Sequence, residues 1–169
     1  MLDGIPLIVA GAFTPPLSPA IRRMKFEGAP ELARELSLLL SARLLALELG
    51  DGAGFVPVPL HRARLVERGF NQAALLARAL ADRAGGDFAP RALERLKRTE
   101  QQARLGKGDR RLNVQGAFAA RRGSVPRRAL LVDDVVTTGA TALACISALK
   151  NAECEVLAVV ALARADNRS

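Results

Sequence analysis

The chain has neither tryptophan nor tyrosine, and its 169 residues include only one histidine and two cysteines. So few thiols exclude a disulfide-stapled scaffold, and no spacing of the usual Cys/His zinc-binding kind is present. No uncharged apolar run reaches the roughly 18 residues that a membrane-spanning helix needs. The longest leucine-rich stretch, residues 36–49, is broken by Arg43 and Glu48. The first residues lack a basic region ahead of their apolar stretch and a small-residue cleavage pattern, so a secretory signal is not expected. A reduced, cytoplasmic setting is the expectation. Half of the residues are apolar, too many for a disordered chain and enough for a buried core, and at this length one domain over 1–169 is expected.

Acidic residues are also in short supply: 17 Asp plus Glu face 25 Lys plus Arg, a net charge of +8. The excess is concentrated. Residues 91–128 hold 12 basic and three acidic side chains, a net of +9, so the remainder carries −1. Such a segment suits an anionic ligand or partner, or else a solvated loop kept soluble by arginine.

The apolar pattern alternates between two kinds of element. Ile5 to Ala10 reads as a strand, closed by Pro15-Pro16. Pro30 can open a helix, in which Leu32, Leu36, Leu39, Leu40, Leu44 and Leu47 recur at helical spacing. Residues 55–60 read as a strand that runs into a stiff double-proline loop. Asn71 is a plausible N-cap for a helix through Ala84, which Gly85-Gly86 closes. The basic segment, rich in Gly and Arg, should be mostly loop or short helix. Ala129 to Val132 is an unalternated apolar run, which suits a strand buried on both faces. A helix with Leu143, Ile146 and Leu149 on one side follows, and then a last strand from Glu155 to Ala163. Strands alternating with helices predict an α/β domain with a mainly parallel central sheet flanked by helices.

One stretch carries recognisable chemistry. The strand at 129–132 delivers Asp133 and Asp134 to its carboxyl end, where ligands of open α/β sheets bind. Residues 137–141, Thr-Thr-Gly-Ala-Thr, then wrap into a helix N-terminus whose free N–H groups and hydroxyls suit a phosphate. Two carboxylates would repel that phosphate directly. They fit better as acceptors for paired sugar hydroxyls, or as partners of Mg²⁺ through water. A sugar phosphate lying across the strand end satisfies all of these parts. The plain alternative is a strand-turn-helix corner with two solvent-facing acids.

Residues 129–141 resemble the phosphoribosyl-pyrophosphate (PRPP) signature of type I phosphoribosyltransferases. Lys25-Phe26-Glu27-Gly28, Val56-Pro57-Val58-Pro59-Leu60, Arg68-Gly69-Phe70-Asn71-Gln72, Gln101-Gln102 and Arg111-Leu112-Asn113-Val114 resemble the ComF competence family in order and spacing, over nearly the whole chain. The resemblance implies a type I phosphoribosyltransferase fold. In that reading Asp133 and Asp134 hold the ribose hydroxyls and, through water, Mg²⁺. Thr137, Thr138, Gly139, Ala140 and Thr141 hold the 5-phosphate, and Val58, Pro59 and Leu60 form the pyrophosphate loop. Residues around 98–111 become a mobile loop over the site, with Arg98, Lys107, Arg110 and Arg111 as the cations facing the leaving pyrophosphate. Many family members carry a cysteine-rich zinc ribbon. This sequence has no such cluster, so no zinc is expected, and Cys145 and Cys154 read as core.

Several residues are open to more than one reading. His61 could touch phosphate or be incidental. Arg68 could meet pyrophosphate or an acid, Lys25 could reach an anion or end a surface helix, and Asn71 is explained by capping alone. Phe13, Phe26, Phe55, Phe70, Phe88 and Phe118 are the only aromatics, and most read as core, which weakens the case for a nucleobase acceptor. Two functions from different classes follow from the resemblance. One is a Mg²⁺-dependent phosphoribosyltransferase with an unidentified acceptor. The other is a non-catalytic protein of DNA uptake, holding single-stranded DNA and proteins of the competence machinery. For the second, Arg121, Arg122, Arg127 and Arg128 are the candidate backbone contacts.

Overall fold

Five strands form one parallel sheet in the order β1-β7-β6-β2-β3, and a separate pair, β4 and β5, forms an antiparallel ribbon. A computed structural model describes residues 1–97 and 116–165. The sheet strands are β1 (Leu7–Ala12), β2 (Gly54–Pro57), β3 (Asp87–Phe88), β6 (Arg128–Val136) and β7 (Glu155–Arg164). The ribbon joins β4 (Leu93–Arg95) to β5 (Phe118–Ala120). The helices are α1 (Leu17–Phe26), α2 (Leu32–Ala46), α3 (Arg62–Arg68), α4 (Gln72–Ala84) and α5 (Ala140–Lys150). This is the expected α/β arrangement, consistent with a type I phosphoribosyltransferase-like fold.

The two central strands show why their runs do not alternate. Along β6, successive side chains go to opposite faces, and both faces are covered. Leu130 and Val132 join Phe55, Leu40, Leu44, Leu76 and Leu80 beneath α1, α2 and α4. Leu131 joins Val56, Val159, Ile146 and Leu149 beneath α5 and the ribbon. All three β6 side chains are fully buried, each a gain of about 1.5–3 kcal/mol relative to exposure. On α5 the buried stripe is Ala142, Cys145, Ile146 and Leu149. Leu143 lies only partly buried, off the face expected of it, because the sheet meets α5 one position further round. Leu39 and Leu47 of the α2 pattern are likewise exposed, at 51% and 56%.

The α4 boundaries match the expected ones. The Asn71 side chain accepts from Ala73 N at 3.0 Å, and Gly85 closes the helix in the left-handed conformation. Gly86 is required by close approach, since a Cβ there would stand 2.6 Å from the Phe55 ring and 2.7 Å from the Ala53 carbonyl.

Two helices, α1 and α3, add to the elements read from the sequence, and the basic segment departs from its expected loop or short helix. α1 begins directly after Pro15-Pro16, with Pro19 in its first turn, where a missing N–H does no harm. α3 is capped by His61, whose Nδ1 accepts from Ala63 N at 3.2 Å; it buries no residue, so it has no apolar period. The basic segment contributes β4 and β5 to the ribbon rather than loop or helix alone. Neither Cys145 nor Cys154 is exposed. Burial first, then the Asp133 charge, pushes the Cys145 thiol well up, which leaves it unreactive. No helix among the described residues is long and apolar enough to cross a membrane.

Candidate functional site

A cleft of about 370 Å³ opens at the carboxyl ends of β2 and β6, in the middle of the sheet. Its floor is Asp133 and Asp134, the last polar positions of a strand otherwise packed with aliphatic side chains. The pleat sends them to opposite faces. Asp134 is 3% exposed, and its Oδ2 lies 2.7 Å from Lys25 Nζ at the end of α1. That contact is an ion pair without hydrogen-bond alignment, so Oδ2 is a buried oxygen with no aligned donor. Oδ1 accepts from Val135 N at 2.7 Å.

Asp133 is only partly covered and faces the cleft on the other side. Its Oδ1 accepts from Asp134 N at 2.8 Å. Burial first, and then the neighbouring Asp134 carboxylate, push the Asp133 carboxyl well above the usual carboxylate range. The Asp134 backbone hydrogen bond and Lys25 oppose that shift without cancelling it.

Residues 137–141 form the turn into α5. Gly139 sits at φ +79°, a left-handed conformation that favours glycine, and a Cβ on it would displace the end of the Leu2 side chain, whose Cδ2 would stand 2.5 Å away. Ala140 N lies 3.4 Å from Thr138 Oγ1. A small recess of about 50 Å³ lies between this turn and Asp133, with space for a small polar group rather than a ring. It adjoins the main cleft through Asp133, Val135, Thr137 and Thr141, which line both.

The opposite wall is Val58, Pro59 and Leu60, the loop after β2. Asn71 does more than cap its helix: its Nδ2 donates to the Val58 carbonyl at 3.1 Å, so α4 fixes the start of this loop. Three arginines come in above it. Arg64 and Arg68 belong to α3, and Arg95 to the β4–β5 ribbon. Arg68 Nη1 donates to Gln72 Oε1 at 2.7 Å, and its guanidinium carbon lies 5.0 Å from the Phe26 ring centre. Arg95 stands 5.3 Å from the ring centre of Phe118, its partner across the ribbon. Burial lowers its pKa, with Asp133 and Cys145 opposing.

The sequence-derived candidates are therefore partly gathered. Asp133, Asp134, Thr137, Thr141, Val58, Pro59 and Leu60 meet in one cleft, and Thr138, Gly139 and Ala140 line the adjoining recess. Arg98, Lys107, Arg110 and Arg111 lie outside the described residues. Arg64 and Arg95 were not anticipated; the first sits on a helix with no apolar signal, and the second is brought in by a non-local strand pair. Lys25, Arg64 and Arg68 come from the part of the chain whose net charge is −1. His61 is a helix cap.

The four arginines expected to meet nucleic acid behave differently. Arg121, Arg122, Arg127 and Arg128 lie before and at the start of β6, the end of the sheet opposite the cleft. Arg121 makes a two-pronged contact with Glu94 Oε2, at 2.9 and 3.0 Å, and Arg128 pairs with Glu155 at 3.6 Å. Arg122 and Arg127 are exposed and form no ion pair among the described residues. A second hollow of about 400 Å³ lies beside β1, lined by Ala10, Pro15, Leu17, Leu36 and Leu39. It has no charged side chain and stands apart from this chemistry.

Among the described residues no group of three or more His, Cys, Asp or Glu side chains could hold a metal ion. Asp133 and Asp134 are thus two carboxylates suited to holding Mg²⁺ through water, provided a ligand supplies the remaining oxygens.

The parallel sheet flanked by helices, with the paired acids at its carboxyl edge, is an α/β domain with a type I phosphoribosyltransferase-like fold. No protein-family model matches the chain. Among curated proteins it is 35% identical to competence protein F of Haemophilus influenzae over 168 residues, covering 94% of this chain and 72% of that protein. It is 36% identical over 141 residues to DNA utilization protein YhgH of Escherichia coli, covering 80% of this chain and 61% of that protein. Competence protein ComFC of Streptococcus pneumoniae is 33% identical over 121 residues, covering 70% of this chain and half of that protein. The chain belongs to the ComF family.

Proposed function

We propose that this domain binds PRPP with Mg²⁺ at the carboxyl ends of β2 and β6 and transfers its phosphoribosyl group to an acceptor, in the service of DNA uptake. One observation carries the reading: two carboxylates, four cations and the Val58–Leu60 loop share a single cleft that opens into a phosphate-sized recess. The volume suits a small molecule. The names of the relatives, competence proteins and DNA utilization proteins, support the process. A cytoplasmic location and contact with other competence proteins belong to the same reading.

Each residue type has a part. Asp133 and Asp134 accept hydrogen bonds from the two ribose hydroxyls. The N–H groups and hydroxyls at residues 137–141 hold the 5-phosphate at the α5 N-terminus. Lys25, Arg64, Arg68 and Arg95 face the pyrophosphate, with Arg98, Lys107 and Arg110 completing its neutralisation. When bound, Mg²⁺ would supply further charge for the departing pyrophosphate, held by its oxygens and through water by the two aspartates. The ribose passes through an oxocarbenium-like state, so exclusion of water is the other requirement.

Calorimetry with PRPP and Mg²⁺ tests this. Binding is expected in the wild type and absent in Asp133→Asn/Asp134→Asn, which keeps the shape of the floor. A wild type that binds no PRPP sinks the proposal. The second reading, a non-catalytic protein holding single-stranded DNA, draws on exposed Arg122 and Arg127 at the far end of the sheet.

A further inference from the structure

Ahead of β1, Leu2-Asp3-Gly4-Ile5 closes a miniature hairpin. Leu2 N donates to the Ile5 carbonyl at 2.8 Å, and Ile5 N to the Leu2 carbonyl at 3.0 Å. Asp3 and Gly4 sit at φ +52° and +77°, the two left-handed positions of a type I′ turn, for which Asp-Gly is a favoured pair. Ile5 is buried in the layer that holds Val136, Ala142 and Ile146, and Leu2 packs against the same layer. Asp3 pairs with Lys150, the last residue of α5, at 3.4 Å. Leu2 meets Gly139 at the other end of that helix, its Cδ2 and Cδ1 lying 2.5 and 3.4 Å from where a Cβ would stand. The hairpin is tied to both ends of α5.

We propose that Leu2 is a positioning residue for the phosphate turn, holding Gly139 from outside so that the N–H groups of residues 137–141 converge on the recess. The proposal goes beyond the PRPP reading and rests on it. The side-chain link within the turn is long, with Ala140 N at 3.4 Å from Thr138 Oγ1. Thr137 and Thr138 are exposed, whereas Gly139, which follows them into α5, is buried. A glycine has no side chain with which to anchor itself, so a neighbour must supply the packing, and Leu2 does so. Leu2 lines neither the cleft nor the recess. It acts on the ligand through the turn, because charge-assisted N–H bonds to a phosphate weaken when their alignment is lost.

Calorimetry in Mg²⁺ with PRPP, ribose 5-phosphate and pyrophosphate, each titrated separately, tests the assignment. Leu2 is only partly buried, so Leu2→Ala should fold. It should bind PRPP and ribose 5-phosphate about tenfold more weakly, the loss of one aligned hydrogen bond to a charged group, and pyrophosphate within about twofold of wild type. Leu2→Met keeps the aliphatic reach and should restore the affinity for both sugar phosphates. Val9→Ala thins the same core layer away from the turn and should leave all three affinities unchanged, which separates positioning from a general loss of stability. Unchanged PRPP affinity in Leu2→Ala, an equal weakening of pyrophosphate, no recovery in Leu2→Met, or the same loss in Val9→Ala overturns the assignment. A wild type that binds none of the three ligands sinks the PRPP reading and this assignment with it. A wild type that binds PRPP while Leu2→Ala is unaffected overturns this assignment alone.

Discussion

Replacing Lys25 by methionine keeps the length of the side chain and deletes only its charge, leaving Asp134 without its counter-ion. The two charged groups are 2.7 Å apart, and their side chains are 19% and 5% exposed. At an effective dielectric constant of about 20, charges that close attract by roughly 6 kcal/mol before desolvation is subtracted. Removing one partner of a buried pair costs about 3–5 kcal/mol. Lys25 keeps some access to water, which lowers that figure, so Lys25→Met should cost about 2–4 kcal/mol. For a domain of this size the melting temperature should fall by roughly 5–15 °C. Asp134→Asn should cost less, because the more exposed ammonium can turn to water, whereas a carboxylate at 3% exposure cannot. The double variant Lys25→Met/Asp134→Asn strands no charge and should recover most of the loss. Urea unfolding of the four proteins gives the coupling energy. A Lys25→Met cost below about 0.5 kcal/mol, or a coupling near zero, would refute the argument that Lys25 anchors α1 through Asp134.

The other expectations concern pH and nucleic acid. Burial raises the Asp133 carboxyl in the folded state, so the folded protein favours its protonated form. The associated stability is present below the unfolded value of 3.8 and is lost as pH rises through the higher folded value. Asp133→Asn should therefore melt higher than wild type near pH 7, with the advantage shrinking toward pH 4; thermal melts across that range check it, and equal melting temperatures at pH 7 would contradict it. For DNA, Arg122→Ala/Arg127→Ala should weaken single-strand binding and lower its salt slope by about 1–2 units. Arg121→Ala/Arg128→Ala should do less, because those side chains are already paired with Glu94 and Glu155. Fluorescence anisotropy at several salt concentrations separates the two, and equal losses would count against the pairing argument.

How much was legible followed from where the signal lay. Asn71, the helix to Ala84 and Gly85 were readable because capping and closure are local. β6, the acid pair and the turn at 137–141 were readable because an apolar run, two charges and a glycine follow one another directly. α3 was not, since a helix that buries nothing leaves no period. The β4–β5 ribbon was not, since three-residue strands far apart in sequence carry too little propensity to announce their pairing. Arg95 went unseen with it. Which phenylalanine would be the exposed one was not legible, since only the place of Phe26 at the end of α1 leaves its ring open. The Lys25–Asp134 pair depends on the packing of α1 near the sheet and leaves no mark on either segment alone.

The charge illustrates the same separation between counting and placing. Residues 91–128 hold the whole excess, yet of their described members only Arg95 lines the cleft, where it joins Lys25, Arg64 and Arg68 from the rest of the chain. What makes that end of the sheet fit for an anion is convergence, and the convergence is electrostatically uncomfortable. Asp133 is held above its ordinary range, Arg95 below its own, and Asp134 Oδ2 is buried without an aligned donor. A ligand with hydroxyls for the acids and phosphates for the arginines would relieve all three at once. Local rules of polar burial are broken here together, at one strand end, while the surrounding core of Leu130, Leu131 and Val132 obeys them. That is the pattern expected where stability has been given up for binding.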